Sequence, residues 1–72
     1  MITLISSEVT ASKKIDGTMK GRAVMTLAGL TADTKPTTYY KGVLIANGSV
    51  CIVMDAGTTY MYDEEGAQWH TL

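Results

Sequence analysis

The sequence predicts an all-β fold, or a mainly β fold with one short helical turn. Three observations predict it. No stretch repeats its apolar residues at the 3.6 period of a helix for longer than two turns. Asx-Gly and Gly punctuation recurs along a short chain, as in Asp16-Gly17 and Asn47-Gly48. Residues 49–72 read as three short strands joined by two tight turns. The expected architecture is a small antiparallel sheet or sandwich ending in a three-stranded meander.

The elements follow in order. Residues 1–5 are a short β-prone run, and residues 6–14 are polar. Asp16-Gly17 is a strong hairpin pair, linking residues 12–15 to a following strand. Residues 22–27 form that strand. Arg22, Val24, Thr26 and Ala28 fall on one side of it, and Ala23, Met25 and Leu27 on the other. A helix here would be too short to stand alone, and Gly21 and Gly29 bracket the run. Residues 29–36 read as a loop. Residues 36–42 suit either one helical turn, opened by Pro36 and stopped by Gly42, or an extended segment rich in Thr and Tyr. Residues 43–46 are apolar, and Asn47-Gly48 turns the chain into the meander.

In the meander, Asp55 and Asp63 each begin a turn that a nearby Gly completes. Three-residue loops would set Asp55 opposite Thr59 and Asp63 opposite Ala67. Ile52, Met54, Tyr60 and Tyr62 would then share one face, and Val53, Met61 and Trp69 the other. A one-residue change in either loop reverses these faces. Either way both faces carry large apolar groups. One cover is expected from the N-terminal half and the other from a second subunit.

Bulk composition narrows the function classes. The 72 residues allow one domain, residues 1–72, with a small core. One Cys forbids an intrachain disulfide, and one Cys with one His makes a dedicated zinc site unexpected. A net charge of −1 lacks the electrostatic signature of nucleic-acid binding. No apolar run approaches a bilayer span, and residues 1–10 lack the basic start and long apolar stretch of a signal peptide. Folding in the cytoplasm, without secretion, is therefore expected.

Candidate chemistry is sparse. Asp63-Glu64-Glu65 lacks the spaced oxygen ligands calcium wants and reads as a solvated turn. Cys51 lies in an apolar strand and reads as core. His70 has no third group to orient it against Cys51 or Glu64. No Gly-Lys-Ser/Thr motif makes a phosphate loop. The expectation is no enzyme, no cofactor and no metal site. The candidate surface is aromatic: Tyr39, Tyr40, Tyr60, Tyr62 and Trp69. Such residues suit a subunit interface or core. The alternative is a small β module presenting them to carbohydrate or nucleic acid.

One stretch resembles a known family. Asn47-Gly48-Ser49, an apolar strand ending in Met54-Asp55, then Gly57, then Tyr60-Met61-Tyr62-Asp63-Glu64-Glu65 and Trp69 is similar to the end of small head- or tail-associated structural proteins of tailed bacteriophages and prophages. Asp33-Thr34-Lys35-Pro36 looks like the loop before that segment. The resemblance implies a non-enzymatic virion or assembly part that self-associates. Expected partners are further copies of the chain and other head or tail proteins. Neither membrane nor nucleic acid is expected as a partner. The implied location is the virion, or the host cytoplasm during assembly.

Overall fold

The computed structural model describes residues 2–72, so Met1 of the first β-prone run lies outside them. The chain opens with a long hairpin. Strand β1, Thr3–Ile15, runs antiparallel to β2, Thr18–Gly29. Asp16 and Gly17 join them with φ of 50° and 78°. Both values lie in the left-handed region, as a two-residue type I′ turn requires. The hairpin expected from Asp-Gly is present, and both of its strands are longer than expected. The polar residues 6–14 belong to β1 itself.

The alternation read in β2 holds as far as Leu27 and fails at Ala28, which is buried although it falls on the side of Val24. Ala23, Met25 and Leu27 are buried, while Val24 on the opposite face is exposed. The other edge of β2 is shared by two strands. Strand β4, Val43–Ile45, pairs with its first half, and β5, Val50–Val53, with its second. Both pairings are parallel. The expected antiparallel sheet is thus a mixed sheet of seven strands. Residues 30–42 return the chain to the start of β2, and only such a long crossover permits parallel pairing.

Between β4 and β5 the lane holds extra residues. Arg22 pairs with Leu44 and Thr26 with Val50, so four steps on β2 face six steps across. The chain bulges out at residues 46–49, and Ser49 fills the interruption. Its hydroxyl accepts from Met25 N–H at 3.0 Å and donates to Ala46 O at 2.7 Å. Ser49 is fully buried, so each of these bonds replaces one that water would otherwise have to make.

Residues 36–42 contain no helical turn. Strand β3, Tyr39–Tyr40, pairs antiparallel with β4 through Lys41-Gly42, whose φ values of 50° and 83° form a second two-residue turn. The extended alternative is the one adopted.

Strands β5, β6 (Thr58–Asp63) and β7 (Gln68–Thr71) form the expected meander. Its register differs from expectation. Val53 faces Thr58 and Asp63 faces Gln68, so each loop has four residues. The left-handed residue closing each loop is its last, Gly57 in one and Ala67 in the other. In the second, Asp63 Oδ1 accepts from Gly66 N–H at 3.2 Å, which holds the turn without a glycine at the left-handed position. The extra residue reassigns the faces. Trp69 lies opposite Tyr62, and Cys51 opposite Tyr60, on the core side. Met61 lies between Val50 and His70 on the other side.

The core comprises Ala23, Met25, Leu27, Ile45, Cys51 and Tyr62, with Ile2, Tyr40, Val43, Tyr60 and Trp69 packed around it. Residues 30–38 cross this side of the meander. Trp69 Nε1–H donates to Pro36 O at 2.8 Å, and Thr38 N–H donates to Tyr62 Oη at 2.7 Å. The N-terminal half therefore extends the sheet edgewise instead of lying over it. The cover on the core side comes from the connection.

Candidate assembly interface

The five aromatic candidates do not form one exposed platform. Tyr62 is buried, and its ring meets Trp69 at a centroid distance of 4.9 Å. Tyr60 and Trp69 are half-buried, and Lys35 Nζ lies 4.2 Å from the Tyr60 ring centroid. Tyr40 packs on the core and its hydroxyl donates to Ile2 O at 3.3 Å. Tyr39, on the alternate side of β3, is the most open of the five, at 37%. The structure brings Tyr60, Tyr62 and Trp69 together and leaves Tyr39 apart.

The polar candidates are also reassigned. Cys51 is fully buried, and burial pushes its thiol above its ordinary pKa. A thiol held protonated among apolar neighbours is a poor nucleophile. His70 lies on the opposite face of the meander, 3.1 Å from Asp63 Oδ2. That contact, followed by the Gly66 N–H, holds the Asp63 carboxyl below its ordinary value.

The acidic triplet is not a solvated turn throughout. Glu64 has a side chain only 9% exposed. Arg22 Nε reaches its two oxygens at 3.0 and 3.2 Å, and Arg22 Nη2 makes a further contact with Oε1. Lys13 Nζ is 3.7 Å away. Asn47 N–H donates to Glu64 Oε1, and Glu64 N–H donates back to Asn47 Oδ1, both at 2.7 Å. This reciprocal pair continues the β5–β6 ladder with side chains after the strands end. The Arg22 hydrogen bond is the main cause of the lowered Glu64 pKa. The carboxylate is thereby committed to binding its own chain. No group of three or more His, Cys, Asp or Glu placed to hold a metal ion occurs among the described residues.

The most open part of the molecule is β1. It pairs with β2 along one edge only. Every residue is exposed except Thr10 and Ile15, which are half-buried. Leu4, Ile5 and Val9 are 41%, 57% and 82% exposed. Register shifts occur between Leu4 and Ser6 and between Thr10 and Lys13. Such bulges, with Lys13 and Lys14, discourage edge pairing where they occur. Residues 6–10 between them remain regular. Beside this stretch lies an apolar groove of about 150 Å³, lined by Leu4, Val9, Ala23, Met25, Tyr40 and Val43.

Sequence reasoning missed β1 as a surface, because a strand without a buried face has no apolar alternation to read. It also missed Ser49 and the Arg22–Glu64 pair. Here the only available signals were an isolated Ser after a turn and two opposite charges 42 residues apart. Comparison of the chain with protein-family models, curated proteins and solved structures finds no match.

Proposed function

We propose that the protein is a non-enzymatic assembly component that acts by associating with further copies of itself. A structural role in a phage or prophage particle is the setting that the 47–69 resemblance supports. The observation that carries the assembly reading is β1: a thirteen-residue strand, hydrogen-bonded on one edge, with an apolar groove along it. Residues 6–10 offer backbone donors and acceptors to an incoming strand. Leu4, Val9 and the groove offer it apolar contact. Addition of a strand to such an edge combines main-chain bonds with side-chain pockets.

The apolar faces of Tyr60, Tyr62 and Trp69 are turned toward their own chain, which gives the alternative carbohydrate- or nucleic-acid-binding role little to work with. Sedimentation velocity over a concentration series tests the assembly reading. The wild-type coefficient is expected to rise with concentration. Val9→Lys places a charge on the exposed edge without disturbing the core, and is expected to sediment as a monomer. A wild-type chain that stays at 7.7 kDa at every concentration would overturn the reading.

A further inference from the structure

The free edge of β1 is regular over a short and defined length. Its register against β2 shifts between Leu4 and Ser6 and again between Thr10 and Lys13. Residues 6–10 between the shifts read Ser-Ser-Glu-Val-Thr, with Glu8 in the middle. Strand β2 sets their faces. Ser7 and Val9 are the cross-strand partners of the buried Met25 and Ala23, so they lie on the core side. Ser6, Glu8 and Thr10 are the partners of Thr26, Val24 and Arg22, and lie on the other side.

An antiparallel copy of the same edge fits this stretch. Two copies related by a two-fold axis perpendicular to the sheet keep their faces matched, so their register moves only in steps of two residues. Centred on Glu8, residues 6–10 of one copy pair with residues 10–6 of the other. One step either way brings in Ile5 or residues 11–12, where the bulges interrupt the edge. The Glu8-centred register also suits the flanking residues. Ser6 meets Thr10 of the second copy, a hydroxyl pair. Val9 of the second copy meets Ser7, whose small side chain lines the apolar groove beside Ala23, Met25 and Val43. Val9, 82% exposed in the single chain, is thereby covered. One contact opposes the rest. Glu8 lies on the two-fold axis and faces the same residue of the other copy, with about 5 Å between Cβ atoms. Two carboxylates that share a site do not readily both ionise. Nothing beside Glu8 relieves this. Among the described residues β1 pairs only with β2, which places Val24 opposite Glu8, and Thr26 and Arg22 on its diagonals. Arg22 is already committed to Glu64, and Lys13 and Lys14 lie beyond the bulge.

We propose that the protein pairs with a second copy through residues 6–10 of β1, antiparallel and centred on Glu8, and that protonation of Glu8 strengthens the pairing. This rests on the assembly reading and supplies its partner, register and control. Association takes up a proton, held between the two carboxyls, so it tightens as the pH falls from neutral towards the carboxylate range. The same patch serves on both copies, so the contact closes at a dimer.

Glu8 is exposed, so its replacement leaves the core untouched, and circular dichroism checks the fold of each variant. Sedimentation velocity at about pH 7 and about pH 4.5 reads the effect. The wild type is expected to associate about fivefold more tightly at the lower pH, and E8Q to lose that dependence while pairing more tightly than the wild type at neutral pH. The difference between the two isolates Glu8 from the other carboxylates. The decisive measurement mixes the wild type with E8K at neutral pH. A register that sets residue 8 against its own mate brings the glutamate of one chain opposite the lysine of the other. The mixture is therefore expected to pair more tightly than either chain pairs with itself. A mixture no tighter than its components overturns the Glu8-centred register, and so does a pH dependence that E8Q retains in full. Either result leaves the assembly reading standing where Val9→Lys still abolishes association. A wild-type chain monomeric at every concentration and at both pH values removes both.

Discussion

Strand β5 has four residues and two are buried; β1 has thirteen and none is. The two strands are neighbours of the same β2, one on each edge. What separates them is what lies beyond. Past β5 come β6, β7 and the crossing residues 30–38, which complete a core. Past β1 there is no further strand among the described residues. Backbone pairing alone thus sustains a strand when its partner is anchored elsewhere, and β2 is anchored through Leu27, Met25 and Ala23. The hairpin depends on the meander for stability, while the meander draws little from β1.

That dependence can be broken or sharpened by mutation. The largest effect is expected at Leu27, fully buried where β2 meets Cys51. Leu27→Ala should cost about 2–5 kcal/mol. Val9→Ala, on the same side of the sheet but 82% exposed on the outlying β1, should stay within about 0.5 kcal/mol. Urea unfolding measures both, and equal costs would mean that β1 contributes as much as the core. Ser49→Ala comes next, at about 1–3 kcal/mol, because Met25 N–H and Ala46 O each lose a buried partner. Tyr62→Phe removes the acceptor for Thr38 N–H and should cost about 1 kcal/mol. Hydrogen exchange should then quicken at Thr38 and leave β1 amides unchanged.

The smallest effect concerns the Arg22–Glu64 contact, where the second loop of the meander grips the hairpin. Glu64 has a folded-state pKa below its ordinary value. Its contribution is therefore complete above the unfolded carboxylate value and is lost as the pH falls through the folded one. Glu64→Gln should lower stability at neutral pH, by less than Ser49→Ala does, and so flatten the acid side of the stability profile. An unchanged acid limb would show that the contact does not couple the two halves.

How much of this was legible depended on burial. Strand β2 has one face in the core, so its alternation was written into Ala23, Met25 and Leu27. The Asp16-Gly17 turn was equally plain, because few residue pairs accept two successive left-handed conformations. Strand β1 imprinted nothing beyond residue 5, since no face of it is hidden. The meander was legible as three strands but not in register. Ala67 takes a position that glycine usually fills, and the Asp63 carboxylate is what stabilises it there. The candidate site suffered from distance. Glu64 looks like one of three solvated acids until Arg22 is brought to it from β2.

The bulge at Ser49 also bears on how the chain finds its shape. The β1–β2 hairpin and the β5–β6–β7 meander each close through short turns, events of roughly microseconds. Joining them means closing the chain between Met25 and Ser49, 24 residues apart, for a parallel pairing with no local help. The Ser49 hydroxyl can find Met25 only once both pieces are in place. A contact made that late is absent from the barrier that folding must climb. Ser49→Ala should accordingly leave the refolding rate almost untouched and quicken unfolding, so the bulge governs how long the two halves stay together once joined.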